Sequence, residues 1–273
     1  MEQRQPQPPL SSTPLTSYQR LPWALCTAII LLQCSFWAAG VTGGLWKAVL
    51  AALEMALLGG LLWNGWRIHR WVYRTSKAQA RSRAVADLTV FGLAVCLLGD
   101  AVNRNVPARF YSYDNVVQHS YLADSVWFFF PGYALLIAAV WLATAGRVSP
   151  VWRALPLAVA AAGGGFAFSQ VLLPGTATYI AWLTGAYSVL IALMLPCALW
   201  IWLAFGRSGR WVALGAALAT AADGLIGQFW LYGSGYYPGI AYANFMLYFV
   251  SQALLQQLPL LAQNSYSSTP RRV

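Results

Sequence analysis

Charge is what this sequence has least of. Only 9% of its 273 residues are Asp, Glu, Lys or Arg, seven of them acidic, while 59% are hydrophobic and the mean hydropathy is +0.55. An ordinary soluble domain carries charge on about a quarter of its residues, so that class is excluded. Histidine is almost as scarce. His69 falls in a basic segment and His119 in a loop, so no helix offers a His pair to zinc, and a metal site would have to be all-oxygen. No cofactor and no metal are expected. There is no GxSxG elbow and no Cys and His pair placed for nucleophilic catalysis. The "GGG" at 163 to 165 lacks the Lys and Ser or Thr of a phosphate-binding loop and reads as helix packing. The four cysteines, Cys26, Cys34, Cys96 and Cys197, all lie inside apolar runs and read as free thiols.

What is abundant is apolar sequence in long pieces. Runs sufficient to cross the hydrocarbon core, roughly 20 residues each, stand at 22 to 42, 44 to 66, 84 to 103, 121 to 145, 154 to 173, 178 to 205, 211 to 232 and 241 to 261. Stretches such as "AWLTGAYSVLIALMLPCALWIWLAF" are apolar all round, without the alternation of a membrane β-barrel. The fold class is therefore all-α, a polytopic integral membrane protein of eight transmembrane helices spanning 22–261. It is flanked by a disordered Pro-, Gln- and Ser-rich tail at 1–21 and a short tail at 262–273. The first run is as long as a full span, so no cleavable signal peptide is expected. Pro131, Pro156 and Pro196 are expected to kink their helices.

A net charge of +10 raises the question of nucleic acid, but its distribution speaks for topology. With eight spans, Arg4, Arg20, the segment from Arg67 to Arg83, Arg147, Arg153, Arg207, Arg210, Arg271 and Arg272 fall on one side. Only Lys47, Arg104 and Arg109 fall on the other. The positive-inside rule then puts both termini and the basic segments in the cytoplasm, and no nucleic acid is expected as a partner. The basic segment 67 to 83 is read as a loop beside anionic lipid.

Among the acids, Glu2 and Asp114 lie in tail and loop, Asp87 is expected to pair with Arg81 or Arg83, and Asp124 lies near a helix end. Glu54, Asp100 and Asp223 remain inside apolar runs, where a carboxylate costs at least about 2.5–3.5 kcal/mol and marks a functional candidate. Glu54 reads more readily as a packing contact. Thr220, Asp223 and Gly227 share one helix face, with Ala216 and Ala219 allowing close approach. Asn244, Tyr248, Gln252 and Gln256 form a polar stripe at spacings of four, with Ser251 alongside, and Cys96, Asp100 and Asn103 form another. If these helices converge, Asp100 and Asp223 line one polar cavity with Asn103, Asn244, Tyr248 and Gln252. "LLGD" followed by "YLADSVWFFFPGYALL" is echoed by "AADG" and "YANFMLYFVSQALL", which reads as two four-helix halves.

Gly99 and Asp100 in "LLGD", Asp223 in "AADGLI", and Tyr248, Phe249 and Gln252 in "LYFVSQALL" resemble the YhhN/TMEM86 family. The sequence departs from that pattern at Ala222, where Ser is expected, and in "AVNRN" after Asp100. The resemblance implies a lysoplasmalogenase, a hydrolase that splits the vinyl ether bond of a lysophospholipid ether into a fatty aldehyde and a glycerophospho head group. Its substrate is a membrane lipid, and Asp100 and Asp223 are its catalytic pair. Vinyl ether hydrolysis runs by protonation of the double bond to an oxocarbenium ion, attack by water and collapse of a hemiacetal. One neutral acid and one ionised carboxylate suffice, as at a glycosidic bond. Sequence leaves open which Asp takes which role. It leaves open two other functions as well: a sensory or ligand-binding membrane module without activity, and a small proton-coupled transporter.

Overall fold

The computed structural model describes residues 17–41, 43–75, 80–104, 121–171, 178–232 and 238–267. The N-terminal tail to residue 16, the loop around Arg109, Asp114 and His119, and Lys77, Arg271 and Arg272 lie outside the described residues. Among those described, the chain is helical throughout its regular structure. The helices are α1 (Ser17–Ala38), α2 (Gly44–Thr75), α3 (Ala80–Arg104), α4 (Tyr121–Thr144) and α5 (Pro150–Val171). They continue as α6 (Thr178–Ala192), α7 (Met194–Phe205), α8 (Arg210–Tyr232), α9 (Pro238–Leu255) and α10 (Leu258–Ser267). Chains this apolar have few alternatives, because hydrocarbon offers no partner to a backbone N–H or C=O and a helix satisfies both internally.

Six segments among the described residues are long and apolar enough to cross a membrane: Ser17–Ala38, Gly44–Thr75, Ala80–Arg104, Asp124–Thr144, Trp182–Leu225 and Gly239–Gln263. Where the sequence suggests eight runs, α5 is not among these six. The fifth segment takes in α7, a turn of 3₁₀ helix at Gly206–Gly209, and parts of α6 and α8.

Boundaries shift for identifiable reasons. The first helix starts at Ser17, earlier than 22, and ends before Gly40, whose φ of 64° suits the left-handed conformation that closes many helices. The second runs on to Thr75 instead of stopping at 66, because Ile68 and Val72 continue its buried face at a spacing of four. The segment 67 to 83 is thus largely helix, and His69 is a helical residue. The expected span at 178 to 205 breaks between α6 and α7 at Leu193, as Pro196 supplies no N–H to the Ala192 carbonyl and its ring crowds it. Pro259 does the same to Leu255, separating α9 from α10. Helices α4 and α5 continue through Pro131 and Pro156.

The α9–α10 rod is the centre of the bundle, with every residue from Ser251 to Leu260 buried. Its first part packs on α8 and α1, its second on α3, α2 and α4. The closest helix pairs are α3 with α4 and α8 with α9. Glycine permits both approaches: a Cβ on Gly132 would lie 2.5 Å from Cys96 Sγ, and one on Gly215 would lie 2.8 Å from Leu254 Cβ. In the "GGG" run only Gly164 is used this way, against Val189 of α6.

Basic residues gather at one end. Arg81 donates to the carbonyls of Leu142 and Ala145 at the end of α4, the first of which also accepts the Ala145 N–H at 3.3 Å. Arg153 donates to Thr144 and stacks over Trp141, its guanidinium 4.3 Å from the ring centre. Among the described residues no hydrogen bond or ion pair joins Asp87 to Arg81 or Arg83. Its partners are His69 at 2.7 Å and the Tyr73 hydroxyl at 2.9 Å, brought there by the helical continuation of α2.

Candidate functional site

Near the opposite end, polar side chains from seven helices turn into the bundle. On α3 the spacing Cys96, Asp100, Arg104 places three groups on one face, one turn apart. Asp100 is buried, and its Oδ2 accepts a hydrogen bond from Tyr248 of α9 at 2.5 Å. Tyr248 is held by ring contacts with Phe129 of α4 and Phe245 of α9. Gly99 lets α4 approach at this level, since a Cβ there would lie 3.2 Å from Phe128 and Phe129.

Arg104 forms a second tier. It makes an ion pair of 2.8 Å with Glu54 of α2, and its guanidinium lies 4.5 Å from the ring centre of Phe245. Glu54, 2% exposed, also accepts a hydrogen bond of 2.5 Å from the buried Gln33 of α1. A buried carboxylate needs this company, because leaving it unpaired in a low-dielectric interior costs several kcal/mol, on the order of 3–5. Asp100 feels both Arg104 and Glu54 electrostatically.

Asp223 approaches from α8. Tyr133 of α4 and Tyr187 of α6 present their hydroxyls to it. Its Oδ2, the Tyr187 hydroxyl, Ser251 Oγ and Gln252 Oε1 are nonetheless buried without a hydrogen bond among the described residues. Such atoms cost roughly 1–3 kcal/mol each when left alone. Gln252 donates to Tyr133 at 3.4 Å, linking this cluster to the Asp100 face. The two carboxyls are near enough for their charges to interact.

Asp100 and Tyr248 are hydrogen-bonded, Gln252 lines a cleft with Tyr248, and Asp223 lies near enough for its charge to act on Asp100, whereas two other expected residues do not join them. Asn244 donates at 2.5 Å to the Ala222 carbonyl and serves to fasten α9 to the turn that carries Asp223. Asn103 is half-buried beyond Asp100 and has no hydrogen bond to the others among the described residues. Thr220, expected to share the working face of Asp223, donates at 3.0 Å to the Ile191 carbonyl beside the α6–α7 break. Gly227 lies where no side-chain surroundings are described. Gln33, Arg104, Tyr133 and Tyr187 are not among the residues the sequence singles out, and Glu54 reads there as a packing contact. Arg104 had a signal, its position one turn from Asp100, but the tyrosines sit singly in apolar runs that carry none.

All four cysteines are free thiols, with Cys26, Cys96 and Cys197 buried and Cys34 exposed. Among the described residues, no three His, Cys, Asp or Glu side chains converge for a metal ion. A narrow cleft lies just below the Asp100 tier, lined by Leu58, Leu61 and Leu62 of α2, Leu93 and Leu97 of α3, and Tyr248 and Gln252 of α9. No protein-family model, curated protein or solved structure matches the chain.

Proposed function

We propose that the chain is an integral membrane hydrolase that cleaves the vinyl ether bond of lysoplasmalogens, releasing a fatty aldehyde and a glycerophospho head group. The observation that carries this reading is the buried Asp100 carboxylate, which accepts the Tyr248 hydroxyl at 2.5 Å inside an apolar bundle, with Gln252 bonded to Tyr133 on the side where Asp223 lies. The motif resemblance to the YhhN/TMEM86 family supports it from the sequence side. Asp100 accepts the Tyr248 hydroxyl and has Arg104 one turn away, the surroundings of a working carboxylate. The one cation on α8, Arg210, stands more than three turns from Asp223, and on that placement we assign Asp223 the proton-donor role.

In the reaction, Asp223 gives its proton to the vinyl carbon remote from oxygen, and the double-bond electrons form that C–H bond. The resulting oxocarbenium carbon faces the Asp100 carboxylate, which takes a proton from the attacking water as the C–O bond forms. Collapse of the hemiacetal breaks the old ether bond, frees the aldehyde and leaves the alcohol oxygen protonated. The two carboxyls thus exchange protonation states in each turnover and reset through solvent. Aldehyde release from lysoplasmenylcholine and lysoplasmenylethanolamine by the purified protein tests the reading. Asp100→Asn and Asp223→Asn should each lower turnover by about 10²–10⁴-fold while the protein stays folded. Activity surviving in both variants would remove the carboxylate mechanism.

One observation favours a second reading, a proton-coupled transporter. The Glu54–Arg104 pair extends the titratable set beside Asp100, and chains of such groups serve as proton paths in membranes. That reading predicts solute uptake driven by a proton gradient and no consumption of lipid.

The reading also includes eight membrane crossings with both termini in the cytoplasm. The 22 residues of α5 measure about 33 Å as a helix, enough for one crossing. Counting α6–α7 and α8 on either side of the 3₁₀ turn as separate crossings gives the other addition, and the positive-inside rule orients the basic end. The close α3–α4 and α8–α9 pairs match the two members of the sequence echo, which supports two related halves.

A further inference from the structure

Helix α2 is longer than a bilayer is thick. Its apolar part, residues 44 to 66, measures about 34 Å, enough for the hydrocarbon core, and the helix then continues to Thr75. On this extension Trp66, His69, Arg70, Tyr73 and Arg74 share the face turned away from the buried Ile68 and Val72, where they line an open hollow of about 340 Å³. Its rings are fixed in place. Trp66 and His69 stack at 15° with centres 5.2 Å apart, and Tyr73 follows 4.6 Å from His69. Asp87 of α3 accepts the Tyr73 hydroxyl and pairs with His69, which ties the ring series to a second helix.

Several arginines at this end are spent within the protein. Arg67 donates to Ser17 and lies over the Tyr18 ring, Arg81 and Arg153 serve the end of α4, and Arg83 lies over Tyr73. Arg70 and Arg74 are different: both are exposed, one turn apart, with no hydrogen bond or ion pair among the described residues. Asp87, the acid that reaches this face, is already engaged by His69 and Tyr73. The hollow is therefore cationic, and its depth says what it meets. Headgroups add about 5–7 Å to each side of the hydrocarbon core, and Arg70 lies four residues, about 6 Å, beyond Trp66. Arg74 reaches the same level by bending back along its aliphatic stem. Trp66, 44% exposed at the edge of the apolar run, stands where indole rings meet the glycerol layer.

We infer that this face of α2 is a binding site for the headgroup of one anionic phospholipid of the bilayer, its phosphate between Arg70 and Arg74 and its glycerol against Trp66. A basic segment beside a charged surface attracts many lipids loosely. A fixed ring series flanked by two unspent guanidiniums one turn apart holds one of them, because little ordering is left to be done on binding. The inference requires that α2 cross the bilayer and is independent of vinyl ether hydrolysis. Its site lies at the basic end, away from Asp100 and Asp223, and its lipid is a ligand that is not consumed.

Native mass spectrometry of the purified full chain tests it, with phosphatidylglycerol and phosphatidylcholine of identical acyl chains as probes. The parent should hold one phosphatidylglycerol at least about tenfold more tightly than phosphatidylcholine. Arg70→Gln with Arg74→Gln, at exposed positions that no packing depends on, should weaken phosphatidylglycerol by about thirtyfold, the worth of two arginines at an anionic surface. Arg207→Gln with Arg210→Gln removes the same charge from the same end and should leave the binding unchanged. Equal losses in the two double variants would reduce the site to general charge attraction. Equal binding of the two lipids by the parent would remove it. Displacement of the lipid by an equal concentration of glycerol 3-phosphate, the headgroup without chains, would make the hollow a site for a soluble phosphate ester and overturn the lipid assignment.

Discussion

Gly132 shows how much can depend on one hydrogen atom in place of a methyl group. A Cβ there would press on Cys96 Sγ at 2.5 Å and on the Cys96 nitrogen and Gly92 oxygen at 3.2 Å, the latter two being backbone that cannot swing aside. Gly132→Ala should therefore destabilise the bundle by about 1–3 kcal/mol, the usual cost of overpacking. Cys96→Ala in the same chain should recover part of it. Gly163→Ala is the control: nothing lies within 4 Å of its Cβ, so helix propensity alone acts and the change should be neutral or stabilising by up to about 1 kcal/mol. Denaturation in detergent reads both, and equal effects would mean that helix contact at Gly132 is looser than described. At this scale the sequence marks Asp100 and Asp223 as exceptional because a carboxylate in hydrocarbon always requires a reason. It gives no such mark to Tyr133 or Tyr187, whose value lies in which acid their hydroxyls face.

At the scale of elements, two proline breaks decide where polar groups end up. Pro259 separates α9 from α10, and at the break Gln256 accepts from Asn64 of α2 at 3.0 Å and donates to the Ala253 carbonyl at 3.2 Å. Pro259→Ala restores a donor for the Leu255 carbonyl and should join the two helices. The expected result is slower hydrogen exchange at the Gln256 and Gln257 amides; unchanged exchange would show that neighbouring helices, and not the proline, hold the break. Apolar run length locates such helices well but sees no interruption within them, since Pro259 sits among leucines. The charged end of α2 was obscured for the opposite reason. Its arginines suggest a loop, yet Ile68 and Val72 keep a buried face that carries the helix past the apolar run and delivers His69 and Tyr73 to Asp87.

For the whole molecule, the two ends differ in charge and in use. Arginines cap helix ends and stack on tryptophans at one end, while the Glu54–Arg104 pair and the two aspartates face inward toward the other. The proposed topology makes a direct prediction for single cysteines placed in a chain whose four native cysteines have been replaced. Lys47→Cys should react with a membrane-impermeant maleimide in intact cells, and Arg70→Cys only after permeabilisation. The reverse pattern would invert the bundle and put the Glu54–Arg104 end on the cytoplasmic side.

Composition and the unbroken apolar runs determined that this protein is helical and built of long apolar segments, because a chain with so few charges and no alternating pattern is left with helices to satisfy its backbone in hydrocarbon. The same scarcity made Asp100 and Asp223 conspicuous, and helical spacing put Tyr248 and Gln252 on one face. Only the tertiary structure decided which faces meet. It spent Asn244 and Thr220 on backbone carbonyls, and it brought Glu54 to Arg104 and the two tyrosines to Asp223. Those choices depend on glycine contacts and proline breaks that set the distance and rotation between helices, and apolar helices surrounded by lipid carry little of that information in their periodicity.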